Sequence, residues 1–265
     1  MARLRRGPRR AERLLGRIAG GAVAGIGLVV FAGGGCGNVT LDVSAPELGL
    51  LAHWAFDENL AGGVAADSSG FGLDATASAN PPTPTATVPP VHFFDPRSLS
   101  FNGQDQWISI GNPALLNAGG VITVAAWVKP ATIEGDHNIV AHGYRSTNPS
   151  HDVALRMASG NYQFTYWNSV DHQAIAPIPR SDLGAWVHLC GVFDGSTYAL
   201  YRNGALVAST ADTTAAPADV DTPWAIGARA PQPEGLERLW QGEIDDVRIY
   251  GRSLDPTEVA ALYRR

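Results

Sequence analysis

The chain has 265 residues, 45% of them hydrophobic and 17% charged, with a net charge of −6. Its nineteen basic residues are unevenly placed: seven arginines precede residue 18, Lys129 is the only lysine, and residues 36–265 stand at −12. An acidic body without a basic run lacks the electrostatic footprint of a nucleic-acid binder and is compatible with divalent cations, and its length suits one well-buried domain.

Residues 1–35 hold those arginines with one acid, Glu12, and then an apolar Gly/Ala/Val-rich run from Ile18 to Ala32. A basic segment followed by an apolar one is the order of a signal peptide, and about fifteen apolar residues fall short of the ~20 that span a bilayer. Gly33-Gly34-Gly35-Cys36 follows at once. Small residues before a cysteine suggest a lipobox, which makes Cys36 the expected lipidated N-terminus of an envelope-anchored bacterial protein. Gly33 stands where a leucine is usual, so plain secretion after cleavage near Ala32 to Gly35 is the alternative. Residues 36–47 are then a polar tether and 48–265 the folded domain.

The first strand-like run, Leu51 to Phe56, ends on Asp57 and Glu58, and Asp67 follows in a turn. Ala75 to Pro90 (ATASANPPTPTATVPP) cannot donate a continuous ladder of backbone hydrogen bonds and reads as a long surface loop. Ser98–Ile110 and Val121–Pro130 are the next strand regions. A middle third rich in rings and polar groups follows, with His142, Tyr144, Arg145, His151, Arg156, Tyr166, Trp167, Asn168 and His172. There Tyr162, Phe164 and Tyr166 alternate with Gln163, Thr165 and Trp167, so one set must face the core while the other is free to face out. For any single ring the core is the ordinary place, most of all for Trp54, Trp127 and Trp186, and the histidines default to surface polar residues. Cys190 lies in an apolar strand and reads as a small buried hydrophobe. Asn203-Gly204, between two alternating runs, marks a type I′ hairpin. The closing strand Gln241–Tyr250 precedes a helix over Pro256–Tyr263, started by Asp255 as N-cap, Pro256 at the first turn and Glu258 as capping-box acid. Many strands, hairpin turns and one short helix make this an all-β antiparallel sandwich.

The run LWQGEIDDVRIYGRSLDPTEVAALY, together with LAHWAFDENL, SLSFNGQDQWISI, VITVAAWVKP and the hairpin from Trp186 to Ala208, resembles LamG-like jelly-roll domains of the concanavalin A-like lectin/glucanase superfamily. The resemblance spans roughly residues 48–265. It implies a two-sheet jelly roll and a structural calcium ion, with Asp57 and Asp245 as the best ligands and Asp67 as a weaker third. Without it, the same acids cap turns or pair with Arg248. The superfamily also holds glucanases, whose carboxylates alternate along one strand. Here Glu243 and Asp245 would share a face with position 247, which is valine, so the second catalytic acid is missing. The expectation is a non-catalytic, exported module that binds glycan through Tyr144, Arg156, Trp167 and His172. A protein-binding adhesion module of laminin G type is the first alternative and a degenerate hydrolase the second.

Overall fold

The structure is a computed structural model, and it describes residues 47–117, 119–143, 152–214, 216–217, 222–232 and 235–265. Cys36, Tyr144 and the export segment lie outside the described residues. In chain order the strands are Leu50–Trp54 (β1), Val64–Ala65 (β2), Ala75–Ala77 (β3), Thr83–Thr85 (β4), Ser98–Asn102 (β5), Ile108–Gly111 (β6), Ile122–Pro130 (β7), His137–Gly143 (β8) and Asp152–Ala158 (β9). They continue with Asn161–Trp167 (β10), Asp171–Pro177 (β11), Val187–Phe193 (β12), Thr197–Arg202 (β13), Ala205–Ala211 (β14), Trp224–Ile226 (β15), Arg229–Gln232 (β16), Gly235–Glu237 (β17) and Gln241–Tyr250 (β18), and one helix, Pro256–Tyr263 (α1), closes the chain.

One sheet runs β14-β13-β12-β7-β18-β5-β4, with β1 also on β18, and the other runs β11-β10-β9-β8-β15-β6-β3-β2. The jelly-roll sandwich is thus a pair of antiparallel sheets around one core. Alternation decides which side chains enter it. Val124, Ala126 and Val128 of β7 meet Val153, Leu155 and Met157 of β9 and Tyr162, Phe164 and Tyr166 of β10 in a single buried cluster. The opposite face of the first sheet is not bare. Ala125, Cys190, Val192, Tyr201 and Tyr250 form a second, smaller cluster under Val259 and Leu262 of α1. Asp255 accepts from the backbone amides of Thr257 and Glu258, and Glu258 completes the capping box. The hairpin turn has both residues at positive φ, 51° for Asn203 and 75° for Gly204, as type I′ geometry requires.

Several expectations change. Ala75 to Pro90 is not all loop: β3 lies between β2 and β6, and β4 pairs with β5 as a sheet edge, where the missing amide of Pro84 costs no central ladder bond. Trp186 is only half-buried, whereas His142, His172 and His188 are buried rather than surface residues. Trp127 is buried on the outer face, edge-on to His188 at 5.3 Å and tilted against Tyr263 of α1 at 5.6 Å. Strict alternation also fails in β18. Asp246 takes a φ of 46° and the register on β7 shifts between Asp245 and Arg248. This bulge turns Val247 into the core, so it never shares a face with Glu243, and Arg248 follows on the outer side.

Candidate functional site

Two arrangements of polar groups have unmet bonding capacity. The first lies where the first and last strands meet, because β1 pairs with β18 from Leu50↔Tyr250 to Trp54↔Val247. Asp57 lies just beyond β1, Asp245 in β18 and Asp95 in the segment before β5. One oxygen of Asp57, one of Asp245 and both of Asp95 are buried without a hydrogen-bond partner. Burial, and then the charges of Asp57 and Asp246, push the Asp95 carboxyl up to about 7, while Asp245 lies within side-chain hydrogen-bonding reach of it. Asp245 is driven well above the usual range by burial first and Asp95 second, and Asp57 rises by burial, Glu58 and Asp246. Three carboxyls that resist ionisation together suit a divalent cation, which takes carboxylate, carbonyl and water oxygens. As they stand, no three His, Cys, Asp or Glu side chains among the described residues form a ready-made cage; the pocket is a concentration of unmet acceptors. A groove of about 590 Å³, lined by His53, Asp57, Ser68, His92, Phe93 and Arg248 among others, borders it at Asp57.

The neighbouring acids are already committed. Asp246 accepts from His53 Nε2 at 2.5 Å and from Arg248 Nη2 at 2.8 Å, and these partners hold its carboxyl well below the usual range despite burial. Asp67 accepts from the backbone amides of His53, Ser69 and Leu73 and from the Ser69 hydroxyl. That carboxylate organises the turn after β1 and keeps no oxygen for the cluster. Asp245 thus feels the charges of Asp95 and Asp57, whereas the oxygens of Asp67 are taken up by the turn. Nothing periodic in HFFDPR marks Asp95; only the fold brings it there.

The second arrangement is the outer face of β8–β11. Cross-strand partners share a face, so Asn138, Arg156, Gln163 and Ile175 form one row, Ala141, Ala154, Thr165 and Gln173 the next, and Trp167 and Asp171 lie in a third. Trp167 is half-buried and Asp171 exposed, while Arg156 Nε donates to Gln163 Oε1 at 2.8 Å and Arg156 Nη2 lies 3.9 Å from Asp171. Both amide atoms of Asn138, the Thr165 hydroxyl and Gln173 Oε1 are buried without a partner. Arg156 and Trp167 thus share this face. His172 does not: it pairs across from Tyr166, stacks on Tyr166 and Tyr198, and bonds to Asp212 through Nδ1 at 2.5 Å and to Asn168 through Nε2 at 2.9 Å. One residue of register places it on the core side, where the sequence offered only its proximity to Trp167.

Residues 102–260 match the laminin G profile described as the concanavalin A-like lectin/glucanases superfamily. A sequence search among curated proteins gives no significant match. Among solved structures, domain 4 of AbnA, a GH43 extracellular arabinanase from Geobacillus stearothermophilus in complex with arabinotriose, superposes with a TM-score of 0.62 at 22% identity, over 81% of this chain and 98% of that one. The binding domain of Paraclostridial Mosquitocidal Protein 1 gives 0.64 at 16% identity, over 82% of this chain and 52% of that one. The binding domain of Botulinum Neurotoxin DC in complex with SialylT gives 0.60 at 12%, over 83% and 52%. This chain therefore spans about half the length of the two toxin binding domains, and at these identities the likeness carries the fold alone.

Proposed function

The chain belongs to the concanavalin A-like lectin/glucanase superfamily, and within that fold we propose an exported, non-catalytic module that binds glycan on the outer face of β8–β11 and is stiffened by one calcium ion. The observation that carries the reading is the β10–β11 edge of that face, where a half-buried Trp167 lies opposite exposed Asp171, with Gln173 half-buried and Arg156 Nη2 3.9 Å from Asp171. Sugars present apolar CH faces for a ring to stack on and hydroxyls for the polar groups around it. Two similar domains of low identity were solved with arabinotriose and with SialylT, which supports the ligand class.

A binding role is also favoured by the closing strand. Glu243 is tied to Lys129 Nζ at 3.4 Å, Asp245 is buried, and the bulge brings Arg248 rather than an acid to the outer face. This face offers no exposed pair of carboxyls for retaining hydrolysis. Asp57, Asp95 and Asp245 would hold the calcium ion, whose charge would relieve their mutual repulsion and lock the start of the domain to its end. Cys36 would anchor the mature chain through lipid, ahead of a tether that leaves the sandwich free to reach its ligand.

Replacing Trp167 by Ala should weaken glycan binding by roughly 1 to 3 kcal/mol, on the scale of ring stacking against planar ligands. The unfolding midpoint should stay close to wild type, because the ring is half-buried at the end of β10. Calorimetric titration and thermal unfolding of the same sample check both parts. A variant that unfolds would place Trp167 in the structural core and overturn the assignment of this face.

A further inference from the structure

We infer that the edge of the domain carrying Leu48, Phe93 and Phe94 lies against the lipid surface to which Cys36 would tether it; this rests on the lipid anchor proposed above. Phe94 is 85% exposed, Leu48 62% and Phe93 40%, and none of them belongs to a strand or helix. Apolar residues exposed singly are ordinary, whereas a grouped set marks an interaction surface. The three share one surface. The His92 amide donates to the carbonyl of Arg265, Arg265 pairs with Glu47 at 2.5 Å, and the Leu48 carbonyl accepts from Arg252 Nε at 2.6 Å. Glu47, Leu50, His92, Phe93 and Arg265 line the same groove. Rings and aliphatic tips beside arginines suit the headgroup region of a bilayer, where apolar groups enter the acyl boundary and cations meet phosphates.

Position and charge select lipid over another occupant. Eleven residue steps separate Cys36 from Glu47, a reach of about 40 Å fully extended and about 18 Å as a flexible coil, so this edge is the part of the domain held nearest the bilayer. Such tethering raises the local concentration of lipid enough for a small apolar patch to engage it. Five of the twelve basic residues beyond Cys36 gather here, Arg97, Arg248, Arg252, Arg264 and Arg265, and three of them answer the acids Asp246, Glu258 and Glu47. A mature chain at −12 repels a second copy of itself and any anionic surface, and this edge is where that repulsion is best offset. The fold adds an orientation. Phe93 and Phe94 lie between β4 and β5, at one end of the first sheet, whereas β14 closes the other end beside β11, to which the His172–Asp212 pair joins it. Docking at β5 therefore turns Trp167 and Asp171 of the proposed glycan face away from the bilayer.

The test places the mature chain, residues 36–265, on vesicles of phosphatidylethanolamine and phosphatidylglycerol through a maleimide lipid on Cys36. Cys190 does not compete, because it is fully buried and burial pushes its thiol far up. Hydroxyl-radical labelling then reads side-chain exposure. Labelling of Phe93 and Phe94 should fall about fivefold or more on vesicles relative to the free chain, while that of half-buried Trp167 and exposed Ile175 stays unchanged. Phe93→Ser combined with Phe94→Ser should leave the unfolding midpoint unchanged and return Leu48 to its labelling in the free chain. If the pair is itself less stable, Phe94→Ser alone decides. Equal labelling of Phe94 with and without lipid, or an equal loss at Trp167, would overturn the docking and leave the anchor standing. Protection of Phe94 that grows with protein concentration in lipid-free solution would assign the edge to a second copy of the chain and overturn the docking as well. The anchor has its own readout, the mass of Cys36 in protein taken from cells: an unmodified cysteine would overturn the anchor and the docking that rests on it.

Discussion

At the scale of single residues, one tight constraint on the sandwich is a glycine that no pattern marks. Gly191 sits in the middle of β12, and a Cβ built there would lie 2.2 Å from ring atoms of Phe164 and 2.8 Å from its Cβ. The backbone of one sheet thus packs directly on a fully buried ring of the other, with Tyr198 beside it at 6.1 Å. Gly191→Ala should destabilise the domain by about 1 to 3 kcal/mol through overpacking, and Phe164→Leu in the same chain should recover part of that loss. Urea unfolding of the single and double variants checks both; additive losses would mean that the two residues do not oppose each other. Gly191 is invisible in the sequence because GVF reads like any apolar strand. The acids divide in the same way. The resemblance names Asp57 and Asp245, whereas Asp95, in a segment without period, is drawn toward Asp245 by the fold alone, and Asp67 is consumed by turn amides that no sequence pattern marks.

At the scale of elements, legibility follows local chemistry. The helix is fully encoded by Asp255, Pro256 and Glu258, and the Asn203-Gly204 hairpin by its need for positive φ, so both form where expected. The bulge at Asp246 is set by packing between β7, β1 and the core, and the two short strands within Ala75 to Pro90 exist only because neighbours supply partners; neither has a local signal. The helix also creates an environment that the strand sequence hides. His188 of β12 is buried between Trp127 and Tyr263 of α1, its Nδ1 unmet, and burial pushes its pKa down to about 4. Below pH 6.5 the unfolded chain takes up a proton that the folded chain refuses until about pH 4. Stability is therefore lost as pH falls through this window, by up to about 3 kcal/mol. His188→Gln abolishes this titration, so urea unfolding should show wild type losing that amount relative to the variant between pH 7 and 4. Parallel curves would mean that α1 does not seal His188 from water.

At the scale of the whole molecule, the jelly roll closes by laying its first strand beside its last, and the carboxyls of Asp57, Asp95 and Asp245 are the cost of that closure. In the ion-free protein the Asp95 carboxyl, raised to about 7 by burial and its charged neighbours, destabilises the fold when ionised. The sign follows from a folded pKa above the unfolded one. The fold binds the extra proton between about 4 and 7, so stability falls as pH rises through 7 and is regained on acidification. The calcium ion proposed above would supply at pH 8 the positive charge that a proton supplies at pH 5. Calcium should therefore raise the unfolding midpoint strongly at pH 8, by the equivalent of about 2.7 kcal/mol at a hundredfold excess over its Kd, and much less at pH 5, where protons hold the same oxygens. Calorimetric scans with calcium and with chelator at both pH values measure the difference. Asp95→Asn should imitate the ion, stabilising the chelated protein at pH 8 while abolishing its response to calcium. If chelator leaves the wild-type midpoint unchanged at pH 8 after verified calcium loading, no ion ties these ends together and the three acids are a strain that the fold carries alone.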